Sequence, residues 1–316
     1  MSDDTTNGAG ARAIPGLHHV TAISGPPQSN LDFYTGTLQQ RLVKRTVNFD
    51  DPGTYHLYYG DQDGTPGSIL TFFPFVDAGP GRAGPGMASA FAYRVPKGAL
   101  DGWMERLAET AVDFEGPFER FGDRVIALGD PDGLRVELIE DDTLPVESGR
   151  ADDGFHSVTL CQREFEPTAR LLTDIFGYAE RGEETDPGGA RRLRLVAPSG
   201  GRGAAVDLMR SDEPSIGRQG AGTIHHVAFR AESDEVQLEW RERLSSAGFG
   251  VTPVTDRQYF NAIYFREPGG VLFEIATDGP GFAVDEDPET LGEAVALPPF
   301  LEPRRAEILA GLTPID

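Results

Sequence analysis

Cysteine is almost absent. Cys161 is the single one in 316 residues, which excludes an intramolecular disulfide and any thiolate metal cluster; in its apolar stretch Val158-Thr159-Leu160-Cys161 it reads as a small core residue. Lysine is nearly missing too, since only Lys44 and Lys97 occur. Arginine therefore supplies most of a small positive complement, and the formal net charge is −23. Such a surface repels phosphate backbones, so nucleic acid is not an expected partner. Acid excess spread along the chain with so little lysine points to a halophilic archaeal origin, where molar salt screens the self-repulsion. No apolar run approaches the roughly 20 residues needed to span a bilayer, and the start Met1-Ser2-Asp3-Asp4 is acidic where a secretory signal is basic and then apolar. A cytoplasmic protein without membrane contact is expected. Homo-oligomerisation is left open.

What is present is a repeat. After a polar, small-residue start expected to be disordered (1–13), one pattern of strand, helix and three strands recurs four times. The first unit opens Leu17-His18-His19-Val20, the second Ser89-Ala90-Phe91, the third Phe155-His156-Ser157 and the fourth Ile224-His225-His226-Val227. Each closes on an apolar strand after a glycine-containing turn, and an amphipathic helix lies between. Helices are expected near 30–38, 98–110, 167–176 and 234–247. Leu100, Trp103, Met104 and Leu107 give the second helix a clear period, and Val236, Leu238, Leu244 and Ala247 form the apolar set of the fourth. The fold class is therefore α+β, with four βαβββ modules paired into two cupped mixed sheets, each around a cavity. The charged, proline-containing stretch 141–153 is read as a linker between an N-terminal domain (14–140, modules one and two) and a C-terminal domain (154–278, modules three and four). A tail (279–316) with a terminal helix over 304–312 has lost the repeat and is expected to pack back over a domain.

Superposing the modules exposes a candidate site. The first strands bring His19, Ala90, His156 and His226 to one slot; the last strands bring Thr71, Glu137, Asp207 and Glu274 to another. An ion that must also take substrate and oxygen needs three protein ligands on one side and open positions on the other. His19, His226 and Glu274 make such a set if modules one and four share a cavity. The other cavity has Ala90 in place of a ligand and reads as a degenerate copy, with His156 as a core histidine. Neighbouring side chains on a strand point to opposite faces, so His18 and His225 cannot share their neighbours' direction unless the strands are distorted; they are expected at a cavity edge. Glu274, in Leu272-Phe273-Glu274-Ile275, is costly to bury unless metal-bound or paired with an arginine. Glu137 has similar surroundings, so the slot alone decides nothing.

With its HHV pairs and βαβββ modules the chain resembles the vicinal-oxygen-chelate superfamily. More narrowly, Leu17-His18-His19-Val20-Thr21, Arg41-Leu42-Val43-Lys44-Arg45-Thr46-Val47, Tyr55-His56-Leu57-Tyr58-Tyr59 and Gly64-Thr65-Pro66-Gly67 are similar to ring-cleaving dioxygenases of the hydroquinone 1,2-dioxygenase type. The resemblance runs from Ile14 to the tail. It implies Fe(II), with Mn(II) as the alternative metal, held by His19, His226 and Glu274; an aromatic diol and O2 as reactants; and supporting roles for His18 and Tyr264. His18 or His225 would move a proton at the substrate hydroxyl, and Tyr264 would donate to a ring oxygen. Around Asp256-Arg257-Gln258-Tyr259-Phe260 the chain departs from that pattern, which has a further arginine before Tyr-Phe. Either Arg257 stands in for it or the ring substituents differ. Two other classes fit the fold: a glyoxalase-type isomerase or lyase, which typically wants more carboxylate at the metal, and a non-catalytic small-molecule-binding resistance protein, against which the His-His-Glu set argues.

Overall fold

A computed structural model describes residues 12–145, 153–186 and 188–316. The expected linker and disordered start lie largely outside them. Module one comprises β1 (Leu17–Ser24), α1 (Pro27–Leu31, continued by a π-helical turn over Asp32–Thr37), β2 (Arg41–Asn48), β3 (Asp51–Gly60) and β4 (Ile69–Pro74). Module two comprises β5 (Met87–Pro96), α2 (Leu100–Glu109), β6 (Phe114–Arg120), β7 (Asp123–Gly129) and β8 (Arg135–Asp141). Module three has β9 (Phe155–Gln162), α3 (Glu166–Arg170, with a π-helical turn over Leu171–Ile175), β10 (Ala179–Thr185), β11 (Arg191–Val196) and β12 (Ala205–Arg210). Module four has β13 (Thr223–Ala231), α4 (Asp234–Ser246), β14 (Thr255–Asp256), β15 (Phe260–Arg266) and β16 (Leu272–Pro280). Three 3-10 turns and α5 (Arg305–Gly311) follow.

The modules pair crosswise. One eight-stranded sheet runs β14-β15-β16-β13-β1-β4-β3-β2, joining modules four and one; the other runs β10-β11-β12-β9-β5-β8-β7-β6, joining three and two. Each sheet therefore takes one module from either side of 141–153. The first strands meet antiparallel at the centre, β1 on β13 and β5 on β9, and each lies parallel to its own module's last strand. These central strands are buried along almost their whole length, polar residues included, because both faces are covered. One apolar core fills the space between the sheets, reaching from Phe229 and Phe273 on one side to Val158 and Leu160 on the other, with Trp103 of α2 and Trp240 of α4. Gly222 (φ 81°) opens β13 where a Cβ would collide with the Asp132 carbonyl of module two, so only glycine permits that approach.

Helix faces follow their periods except in α4, where Leu238 and the C-cap Ala247 of the expected apolar set are exposed. Leu100, Trp103 and Leu107 of α2 are buried. In α4, Leu238 is 53% exposed and Gln237 takes the inward place. The Gln237 amide donates to the carbonyls of Asn261 (2.7 Å) and Ile275 (2.8 Å), which satisfies a buried polar group that the hydrophobic pattern alone would place outside. The tail runs along the edge strand β2. Ala296 N donates to Arg45 O at 2.9 Å, and the fully buried Lys44 ammonium lies between Asp285 (2.6 Å) and Glu286 while facing the Tyr259 ring. Among the described residues no helix is long and apolar enough to cross a membrane.

Candidate metal centre

The site grows out of two irregularities at the middle of the first sheet. Pairing of β1 with β13 steps from Leu17↔Phe229 to His19↔Ala228, and again from Thr21↔His226 to Ala22↔Ile224. His18 and His225 are thus each the extra residue of a β-bulge. Bulges re-aim side chains, and this is the distortion that lets adjacent histidines act together. His19 Nδ1 lies 2.9 Å from His18 Nδ1, and His226 Nδ1 lies 2.8 Å from His225 Nδ1.

The other ring nitrogens converge. His19 Nε2 and His226 Nε2 are 3.2 Å apart, and a Glu274 oxygen lies 3.4 Å from the first and 2.9 Å from the second. Among the described residues these three are the group of potential ligands whose atoms come together this closely. Glu274 is fully buried, and among the described residues its ion-pair contacts are these two imidazoles alone, with no arginine or lysine. A buried carboxylate without a permanent cation is expensive, and two imidazole lone pairs aimed at the same point complete a cation's binding set. The residues therefore fit a divalent metal. Burial alone would raise the Glu274 carboxyl; the neighbouring His19 and then His226 outweigh it and hold the group well below the usual carboxylate range.

The surrounding hydrogen bonds assign tautomers. With Nε2 of His19 committed as a ligand, its proton sits on Nδ1 and is donated to His18 Nδ1. The proton of His18 is then on Nε2, which donates to the Thr277 carbonyl at 3.1 Å. Burial, followed by proximity to His19, lowers the His18 pKa to about 3; burial and then His226 lower that of His225 to about 4. Both remain neutral acceptors. They are not equivalent, however. His18 is buried against Phe260 behind His19, not at the cavity edge expected for it, whereas His225 lines the cavity and meets Phe73 edge-on at 5.9 Å.

The cavity has a volume of about 410 Å³. Tyr264 sits across from Glu274 in the β15–β16 register, and its hydroxyl accepts from Arg257 Nε at 3.2 Å. Arg257 is anchored in turn by Asp50 (3.0 Å). Burial, then Glu274, push the Tyr264 phenol upward, so it stays a donor. The sequence comparison missed His56 as a site residue. Alternation along β3 puts His56 and Tyr58 on the cavity face, the signal by which both could have been found. Tyr58 Oη lies 2.8 Å from His56 Nδ1, His56 Nε2 lies 2.8 Å from Thr71 Oγ1, and Thr71 reaches Thr21 at 2.9 Å.

The second sheet carries the same bulges with different contents. Its pairing steps from Ala88↔Leu160 to Ala90↔Thr159 and from Ala92↔Ser157 to Tyr93↔Phe155, which makes Ser89 and His156 the extra residues. His156 therefore corresponds to His225, not to His226, and the ligand slot expected for it holds Ser157; the bulge shifts the register by one residue. His156 Nδ1 still lies 3.0 Å from Ser157 Oγ. Both carboxylate slots are filled by guanidinium groups. Glu137 pairs with Arg120 (3.0 Å through Nη2) and Arg135 (3.0 Å), and Asp207 with Arg194 (2.8 Å) and Arg192 (3.3 Å). The arginine partner that Glu137 needs is thus present, and among the described residues Glu274 has none.

Comparison with known proteins agrees with this geometry. The family model of the glyoxalase/bleomycin resistance protein/dioxygenase superfamily matches twice, over residues 16–138 and 154–275. MhqO of Bacillus subtilis, provisionally named a ring-cleaving dioxygenase, is 46% identical over 97% of this chain and 98% of its own. The chlorohydroquinone/hydroquinone 1,2-dioxygenase of Sphingobium indicum is 35% identical over 94% of this chain and 95% of its own. A crystal structure of a Bacillus subtilis protein provisionally named a dioxygenase superposes with a TM-score of 0.89 at 46% identity, covering 97% of this chain and 99% of the other. The chain belongs to the glyoxalase/bleomycin resistance protein/dioxygenase superfamily.

Proposed function

We propose that the protein is a ring-cleaving dioxygenase that opens an aromatic diol with O2 at an Fe(II) held by His19, His226 and Glu274. The observation that carries this reading is the buried Glu274 carboxylate facing two convergent Nε2 atoms. Relatives named as ring-cleaving dioxygenases along their whole length support it. Two neutral imidazoles and one carboxylate leave a divalent ion mildly positive, with a face free for reactants. Bound there, the iron supplies the electron chemistry that couples a diol to O2.

The chain's own residues bind and orient. His18 and His225 accept the Nδ1 protons of the two ligating imidazoles and so fix their Nε2 lone pairs toward the metal. His225, which faces the cavity, has its Nε2–H left to donate to a substrate oxygen; His18, closed off by Thr277, only orients His19. Arg257 holds the Tyr264 oxygen from behind and leaves its proton for a ring oxygen. The apolar wall of Phe73, Phe260 and Leu272 packs an aromatic ring and excludes water. A glyoxalase-type lyase reading lacks its extra carboxylate, because Thr71 occupies the fourth slot and is bound to His56.

The test is anaerobic loading with Fe(II) in molar salt, the solvent suited to so acidic a surface, then oxygen uptake with a panel of catechols and hydroquinones. Uptake stoichiometric with diol consumption is expected. One bound iron with no uptake from any diol would refute the reading, and full activity with Mn(II) alone would reassign the metal.

A further inference from the structure

We infer that the ring taken by the metal cavity carries an apolar chain of several carbons, and that this chain leaves past Ile23 and Phe75 into a neighbouring groove. The inference rests on the diol-cleaving reading and narrows its substrate class. A space of about 150 Å³ suffices for benzene, and the metal cavity offers about 410 Å³. A bare diol would leave much of it empty. Ile23 and Phe75 line both this cavity and a larger groove of about 880 Å³. A continuous aromatic wall leads there from the metal: His225 meets Phe73 at 5.9 Å, and Phe73 meets Phe75 at 6.5 Å.

The groove beyond has an apolar wall beside the polar Thr54, Gln219 and Thr313. Tyr55, Pro74, Val76 and Ala78 contribute to its walls, and Val76 is 51% exposed there. Its charged lining is one acid and one base, Asp77 and Arg218, and Arg218 is already engaged with the Pro80 carbonyl at 2.8 Å. One acid and one base leave its lining with no net charge. An alkyl chain that covers Val76 removes apolar surface from water on both partners. Ring and chain then divide the work: the metal cavity fixes the oxygens, and the groove fixes which ring enters.

Calorimetry on the Fe(II)-loaded protein with hydroquinone, butylhydroquinone and hexylhydroquinone, under strict exclusion of O2, tests the inference without turnover. Affinity should rise about fourfold per methylene over the first carbons, the gain for burying each CH2. Val76→Arg, which puts a charge in the groove, and Ala78→Trp, which fills it, should each weaken hexylhydroquinone at least tenfold and leave hydroquinone within twofold. Both positions lie in a surface turn, so the two variants guard against loss of fold in either. Equal affinity at all chain lengths, no measurable hexylhydroquinone binding, or variants that shift both ligands alike would overturn the inference. Oxygen uptake by the Fe(II)-loaded protein separates the two claims. A chain-length series in binding with no uptake sinks the dioxygenase and keeps the groove; uptake without chain-length preference sinks the groove and keeps the dioxygenase.

Discussion

The two cups of this molecule answer one electrostatic problem in opposite ways. Each is made from two modules, each has bulged strands at its centre, and each places a carboxylate two residues beyond the ligand register: Glu274 opposite Ala228 in one, Glu137 opposite Ala92 and Asp207 opposite Thr159 in the other. In the second cup, arginines permanently neutralise Glu137 and Asp207. In the first, the carboxylate meets two imidazoles and no arginine among the described residues. A buried carboxylate without a permanent cation is a cost that a metal ion removes. The difference teaches that the fold supplies the slot, and that the absence of an arginine, more than the presence of a glutamate, marks the metal site.

Substitutions at the equivalent slots should have opposite signs. The largest effect is on iron: His226→Ala or Glu274→Gln should lower iron content by more than about 100-fold, since each removes a ligand from a three-ligand set, whereas Glu137→Gln should leave it unchanged by metal analysis. Stability is next. Breaking the Glu137 cluster should cost about 3–5 kcal/mol in denaturant titration because Arg120 is left buried and unpaired, while Glu274→Leu should stabilise the metal-free protein by about 1–4 kcal/mol. Equal signs in those two experiments would break the comparison.

The pH dependence follows from the same pair. Burial alone would raise the Glu137 carboxyl, but Arg120 and Arg135 outweigh it and depress the folded pKa below its ordinary value near 4.5. Its contribution is therefore present above that value and lost as pH falls through the folded pKa. Thermal scans should show an acid limb that Glu137→Gln flattens. A milder effect is expected from His225→Gln and His18→Gln, each lowering iron affinity about 10–100-fold through the orientation of its neighbour; only the His225 variant should also slow turnover, because only His225 faces the cavity.

Much of this is legible in the amino-acid order. The repeat gave the βαβββ order, and comparing modules singled out His19, His226 and Glu274, which the fold brings together. What the sequence could not show is long-range or irregular. A bulge adds one residue without a sequence mark, so His156 reads as a ligand-slot residue although Ser157 holds that place. Arg135 lies two residues from Glu137 on β8, but the other arginines that fill the second cup come from other strands, Arg120 from β6 and Arg192 and Arg194 from β11, at distances in the chain that no local pattern links to Glu137 or Asp207. Gln237 defeats the helical period because its two acceptors, Asn261 and Ile275, belong to neighbouring strands.

The most direct measurement is an anomalous difference map at the iron edge from crystals loaded anaerobically with Fe(II). A single strong peak bonded to His19 Nε2, His226 Nε2 and an oxygen of Glu274, with nothing between Glu137 and Asp207, is the predicted result. A peak in the second cup, or iron held without Glu274, would contradict the account.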